Sequence, residues 1–185
     1  MKKEAKSVFE IALRYLILVL IGILGNSVFY LLFLPLTVYP VYFLLQIFFN
    51  PYLLYNVIIV HSSPIEIIGA CVAGSAYYLL LILNLSTRKI ELKKRLLMLL
   101  FSFSSLLVIN VLRIFLLSLI FIFGFSFFDI THKLFWYAGS TIFVVGIWFL
   151  SVKLFKVKEI PVYSDVLFLL KSGKKPKKTK SSKKH

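Results

Sequence analysis

Three side chains that could together carry out acyl transfer lie in otherwise apolar sequence, namely Cys71, Arg113 and His132. Cys71 is the single cysteine of the chain. Its thiolate would be the nucleophile, and a neighbouring cation or base favours that form of a thiol. A histidine can act as general base and then as general acid, and an arginine can stabilise the oxyanion that forms when a carbonyl is attacked. These residue types therefore fit nucleophilic attack on a carbonyl carbon.

Arg113 is exceptional because residues 96–128 contain no other charged side chain. A guanidinium inside a membrane is costly unless a partner or a water-filled cavity receives it. Asn110 lies three residues earlier and so on the same face of a helix. We expect both side chains to point into a helical bundle. They would serve either a functional site or a structural tie that hydrogen-bonds to carbonyls of a neighbouring helix.

The elements that would hold these residues are predicted to be membrane-spanning helices. Of the 185 residues, 60% are hydrophobic and 16% are charged, whereas globular proteins average about 45–50% apolar residues. Apolar runs close to the ~20 residues of a spanning helix predict an all-α integral membrane protein. About four transmembrane helices are expected, at residues 15–36, 67–85, 96–119 and 134–151.

The segment between the first two predicted helices, residues 37–66, is too apolar for a water-exposed loop and too interrupted for a span. We expect it to lie on the outer face of the membrane. Residues 39–49 would form an interfacial helix. Residues 53–60 and 65–68 would form a short hairpin around the turn sequence His61-Ser62-Ser63-Pro64.

The basic residues predict the orientation. The net charge is +15, and most Lys and Arg lie before the first predicted helix, in residues 88–95 and after residue 152. The positive-inside rule places these segments in the cytoplasm and requires an even number of crossings. We therefore expect a multi-pass protein of the plasma membrane with both termini cytoplasmic.

Two regions are expected along the chain. Residues 1–158 would form the membrane domain, and residues 159–185 a cytoplasmic tail with a short amphipathic helix and a polylysine end. Such a tail attracts anionic lipid head groups, and we expect no nucleic acid partner.

The predicted topology brings the three reactive residues to one membrane leaflet. At ~1.5 Å per helical residue, Cys71 would lie about 6 Å and Arg113 about 9 Å below the outer surface. His132 comes on the outer side, immediately before the last predicted helix. Glu66, His61 and Asp129 are expected near the same layer.

No pattern in the sequence is typical of a metal or nucleotide site. Neither H-x-x-x-H nor C-x-x-C occurs, and there is no G-x-x-x-x-G-K-[ST] or G-x-G-x-x-G, which are the spacings that such sites commonly use. We therefore expect no cofactor and no bound metal.

At these positions the chain resembles the exosortase and archaeosortase family of membrane-embedded cysteine transpeptidases. The resemblance rests on IEIIGACVAG at residues 65–74, on NVLR at residues 110–113 and on His132. It extends over about residues 37–150. The family often has glycine two residues after its cysteine, whereas here Gly74 is the first glycine after the cysteine and follows by three.

The resemblance implies a processing enzyme for exported client proteins that end in a short motif, a transmembrane helix and a basic tail. Cys71 would attack the peptide bond and form a thioester, Arg113 would hold the oxyanion, and His132 would pass a proton to the leaving amine. An amine, in archaeal members a lipid head group, would then resolve the thioester. Asn110, Gly74 and Ser75 are candidate supporting or substrate-binding residues.

Two other classes of function stay open. The chain could be a small non-catalytic membrane subunit in which Arg113 and Asn110 tie helices together. It could also be a transporter or channel component with Arg113 lining a pathway. The latter is disfavoured because no acidic residue lies within the four predicted spans.

Overall fold

The computed structural model describes residues 2–24, 27–87, 90–135, 140–157 and 161. Seven helices and three strands occur in these ranges. They are α1 (Lys2–Leu24), α2 (Ser27–Gln46), β1 (Tyr52–Leu54), β2 (Val57–Val60), β3 (Ser63–Glu66), α3 (Gly69–Val72), α4 (Gly74–Leu85), α5 (Leu92–Ile122), α6 (Phe128–Leu134) and α7 (Ser140–Leu154). The predicted tail, residues 159–185, lies outside the described residues except at position 161.

The mostly helical architecture is confirmed, but the strictly all-α class is wrong because β1, β2 and β3 form an antiparallel sheet in that order. The turn at His61-Ser62 joins β2 to β3, where a hairpin turn was predicted. The predicted strand at residues 53–60 is instead two strands joined at Tyr55-Asn56. Tyr55 and His61 have φ of 56° and 54°, as the first loop residue of a type II′ turn requires. Glycine usually marks that position, so the apolar run concealed the extra turn.

The first predicted span, at residues 15–36, falls on the end of α1 and the start of α2, and residues 25 and 26 between these helices lie outside the described residues. α2 continues to Gln46, so the predicted separate interfacial helix at residues 39–49 is wrong.

Two prolines explain why the continuation of α2 was not expected. Pro35 and Pro40 lie inside the helix, and proline usually breaks a helix interior. Here Val38 and Val41 beside them are almost completely buried. Tertiary packing therefore maintains the helix where local propensity would end it.

The remaining predicted helices occur with altered boundaries. The span predicted at residues 67–85 is divided into α3 and α4, and that at 96–119 lies within the longer α5. The last span, predicted at residues 134–151, overlaps α7, and residues 136–139 between α6 and α7 lie outside the described residues.

Two helices, α2 and α5, are long and apolar enough to cross a membrane by length and composition. The apolar stretches Gly69–Leu85 and Thr141–Leu154 are shorter. α5 is central to the bundle and packs against α2, α4 and α7.

Pairs of contacting residues give the direction of the helices around α5. Asn84, near the end of α4, contacts Arg95 near the start of α5. Tyr77, earlier in α4, contacts Phe103, which is later in α5. The helices α4 and α5 are therefore antiparallel. Tyr77 also stacks on Phe33 of α2, with ring centroids 3.8 Å apart. This aromatic cluster fixes α2, α4 and α5 together and positions the segment that carries Cys71.

The opposite end of α4 is held by two arginines. Arg95 is only 7% exposed and donates hydrogen bonds to the carbonyls of Asn84 and Thr87 at 2.6 and 2.8 Å. Arg14 of α1 donates to the carbonyls of Leu85 and Thr87, both at 3.1 Å. Cations at a helix C-terminus are favourable because they face the negative end of its dipole. We call this end of the molecule the basic end; Cys71 lies beyond the other end of α4.

Candidate active site

A break between two helices positions Cys71. α3 ends at Val72, and Ala73 has a left-handed backbone with φ 59° and ψ 39° before α4 begins at Gly74. A left-handed conformation costs a residue with a Cβ about 1–2 kcal/mol. Such strain is retained only where the surrounding structure enforces it.

The break makes the main-chain carbonyl of Cys71 available to side chains of α5. In an uninterrupted helix this oxygen would accept from the N–H four residues later. Here it accepts from Asn110 Nδ2 at 2.8 Å and from Arg113 Nη2 at 3.4 Å. Asn110 is 3% exposed, so its amide would be costly to bury without this bond. The two residues share one face of α5, as their spacing predicted.

Cys71, Arg113 and His132 line one cavity of about 210 Å³. They come from α3, α5 and α6 respectively. Cys71 is partly buried, and it belongs to a wall that is otherwise mainly apolar. The floor and sides are formed by residues of β3 and by large side chains of α5 and α6, namely Pro64, Ile65, Glu66, Ile114, Leu117, Phe121 and Phe128.

Arg113 keeps donor capacity beyond its bond to the Cys71 carbonyl. A guanidinium has five N–H donors, and the buried Nε of Arg113 has no hydrogen-bond partner among the described residues. The side chain is therefore a cation beside the cysteine that uses only one of its nitrogens, Nη2, in a hydrogen bond to a described residue. In a low-dielectric cavity such donors interact strongly with developing negative charge.

His132 is oriented by an aromatic neighbour. Its ring stacks on Phe128, four residues earlier on α6, with centroids 5.7 Å apart and planes within 5°. The i, i+4 spacing is the sequence signal that could have identified Phe128 as part of the site. The apolar wall residues Leu117 and Phe121 carried no signal that separated them from ordinary helix-packing residues.

The supporting residues predicted from the sequence are divided between two cavities. Glu66 lines the cavity that contains Cys71. Gly74 and Ser75 instead line a second cavity of about 860 Å³, on the side of α3 and α4 that faces Tyr30. Arg113 lines both cavities.

No family model, curated protein or solved structure matches this chain. The residues around the cavity are therefore the basis for an inference of function. Over the described ranges, no group of three or more His, Cys, Asp or Glu side chains could hold a metal ion. The reactive side chains that line the cavity are a thiol, a cation, an imidazole and the carboxylate of Glu66.

Proposed function

We propose that the chain is a membrane cysteine transpeptidase of the exosortase and archaeosortase type. The observation that carries this proposal is that Cys71, Arg113 and His132, three residues far apart in sequence, line one cavity. The predicted depths of these residues in the membrane led us to expect this grouping, and the shared cavity supports it.

Each of the three residues has a distinct role in the proposed reaction. The Cys71 thiolate attacks the carbonyl carbon of a peptide bond, and the spare N–H groups of Arg113 stabilise the oxyanion. The carbon–nitrogen bond then breaks as the His132 imidazolium gives its proton to the leaving amine. The product is a thioester between Cys71 and the client.

A second amine completes the transfer. It attacks the thioester carbonyl, His132 accepts its proton, and the Cys71 thiolate leaves. Water in place of the amine would give hydrolysis. The acceptor proposed here is a lipid amine, because the site is proposed to open at a membrane surface.

The conformation of Ala73 supports the family assignment. This residue lies two positions after Cys71, where the family often has glycine, and it has positive φ. Glycine adopts that conformation at little steric cost. The backbone at this position is thus of the kind that glycine favours, although the chain has alanine there.

A membrane setting with the site towards the outer leaflet is part of the proposal. The outward faces of α2 and α5 expose large apolar side chains such as Leu31, Leu100 and Val108, as lipid contact requires. The basic end, with Arg14 and Arg95, would face the cytoplasm. Four crossings and cytoplasmic termini in the plasma membrane are proposed on this basis.

The proposed partners are exported client proteins that end in a motif, a transmembrane helix and a basic tail. After cleavage they would be joined to the lipid amine. No nucleic acid partner is proposed, because the basic residues follow the pattern of membrane topology.

A non-catalytic subunit is the second candidate, and one observation favours it. The bonds from Asn110 and Arg113 to the Cys71 carbonyl are those expected of a structural tie between helices. This role leaves the thiol without a function, so replacement of Cys71 separates the two candidates.

The test is Cys71→Ala in the native cell, with Ser104→Ala as a control on an exposed position of α5. Exported proteins with such C-terminal signals are compared for size and membrane anchoring, and the variant's abundance is measured by immunoblot. Full-length precursors that accumulate only with Cys71→Ala support the transpeptidase. Normal processing by an abundant Cys71→Ala protein would favour the structural subunit.

A further inference from the structure

Among the described residues, the strand β3 has one edge without a strand partner. In the three-stranded sheet it pairs with β2 on one side only. Pro64, Ile65 and Glu66 of this strand also line the cavity that contains Cys71. Residues of β3 and Cys71 therefore border the same space. The residues of β1, at the other edge of the sheet, do not line this cavity.

The register of the sheet identifies which backbone groups face the free edge. Ile67 N–H donates to the Asn56 carbonyl at 2.9 Å, and antiparallel pairs alternate between bonded and non-bonded. Ile65, paired with Ile58, is therefore bonded to β2, whereas Pro64 and Glu66 direct their backbone groups away from it. The free edge offers the carbonyl of Pro64 and both the N–H and the carbonyl of Glu66.

Pro64 limits how much chain can pair there. It has no N–H, and a proline in a sheet is tolerated where its nitrogen faces a free edge. Such a residue also discourages extended edge-to-edge association. The edge is thus suited to a short strand of two or three residues. Both Pro64 and Glu66 are exposed residues.

We propose that the client peptide binds as a short extended strand along the free edge of β3, which delivers its scissile carbonyl to Cys71. This inference rests on the proposed function and names how its substrate is held. Strand addition takes affinity from backbone hydrogen bonds and specificity from pockets for alternate side chains. The apolar wall of Ile65, Leu117 and Phe121 is placed to receive one such side chain.

The spacing of the outward backbone groups of Pro64 and Glu66 indicates that the molecule bound at this edge is a polypeptide. Two acceptors and one donor occur at the repeat of a β-strand, and an extended peptide presents the complementary groups at that repeat. A lipid amine carries no such series of donors and acceptors. The short connection of four residues from Glu66 to Cys71 keeps the paired strand close to the thiol.

The first test uses matched variants at one position. Glu66→Pro removes the outward N–H but keeps the other backbone acceptors, and Ile65 before it already has the extended conformation that proline requires. Glu66→Ala removes the same side chain, including its contact with Asn56, but keeps the N–H. The comparison of the two variants therefore isolates one backbone donor.

The probe is an acetylated tetra-alanine chloromethyl ketone, which alkylates the thiol with loss of chloride. Purified full-length protein is mixed with the probe, and alkylation of Cys71 is followed by intact-mass spectrometry. We expect Glu66→Pro to react about tenfold more slowly than Glu66→Ala, as for the loss of about one hydrogen bond. Alkylation by iodoacetamide, which has no peptide backbone, should be equal in the two variants and shows that the thiol is intact.

A second measurement uses the unaltered protein and so does not depend on how Glu66→Pro folds. Probes with a single N-methylated amide are compared, and we expect slow alkylation when alternate amides are methylated, because only alternate groups face β3. Equal sensitivity at all positions, or none at any, would overturn strand pairing.

The two proposals fail in distinguishable ways. If Cys71→Ala cells process clients normally, the proposed function is wrong. If Cys71→Ala blocks processing while Glu66→Pro and Glu66→Ala process clients equally, only the pairing with β3 is wrong.

Discussion

Asn110 Nδ2 donates a hydrogen bond of 2.8 Å to the carbonyl oxygen of Cys71. The bond joins α5 to the break between α3 and α4, and it occurs where the ordinary helical partner of that carbonyl is displaced. The same carbonyl accepts from Arg113. One face of α5 thus fixes the backbone of the cysteine while it brings a cation to the cavity.

Replacement of Ala73 by glycine is expected to stabilise the protein by about 1 kcal/mol, because the left-handed backbone of Ala73 disfavours a Cβ. The matched control is Ala76→Gly within α4, which should destabilise by about 1 kcal/mol. Denaturant-induced unfolding of both variants in detergent measures whether each substitution raises or lowers the stability. A loss of stability in Ala73→Gly equal to that in Ala76→Gly would contradict the role of the break.

Arg113→Gln is expected to slow formation of the acyl-enzyme about 100-fold, because it removes a charged donor at the oxyanion position. It keeps an amide that can still bond to the Cys71 carbonyl. Arg113→Lys should recover only part of the rate, since an ammonium lacks the planar set of donors. Single-turnover rates measure this effect. If Arg113→Gln forms the acyl-enzyme as fast as the unaltered protein, the arginine has a structural role and does not stabilise the oxyanion.

His132→Gln is expected to slow cleavage of an amide by about 10²–10⁴-fold, the usual contribution of general acid–base catalysis. It should slow cleavage of an activated ester far less, because a good leaving group needs no proton. The ratio of the two rates separates proton transfer from a packing defect. Phe128→Leu, which removes the stacked ring, is the control and should lower both rates together. If His132→Gln slows cleavage of the amide and of the activated ester equally, a role of His132 in proton transfer is contradicted.

The orientation is tested with a membrane-impermeant thiol reagent applied to intact spheroplasts. We expect Cys71 to be labelled from outside. In a second protein, Cys71→Ser combined with Lys174→Cys, the only thiol lies in the predicted cytoplasmic tail and should react only after permeabilisation. Labelling of the tail thiol in intact spheroplasts would contradict the assigned topology.

The sequence predicted those features that depend on local pattern. The absence of other charges around Arg113 identified α5, and the spacing of Asn110 placed both residues on one face. The turn residues His61 and Ser62 predicted the hairpin between β2 and β3. Each of these features follows from helical or strand periodicity and turn chemistry alone.

The features that were missed depend on tertiary contacts. α2 continues through Pro35 and Pro40 because its sides are packed, which no local preference reveals. The carbonyl of Cys71, two residues before the left-handed Ala73, accepts hydrogen bonds from side chains of α5 that are 39 and 42 residues away. His132 was expected just before the last span, but it belongs to α6, whose short length gives little periodic signal.

The most direct measurement for the central claim is detection of the thioester on Cys71. A precursor that accumulates in Cys71→Ala cells is incubated with purified protein, quenched in acid and examined by intact-mass spectrometry. We predict an adduct with the mass of the cleaved client on the unaltered protein, removed by hydroxylamine and absent from Cys71→Ala. Cleavage of the precursor by Cys71→Ala at the rate of the unaltered protein would contradict the claim that Cys71 is the nucleophile.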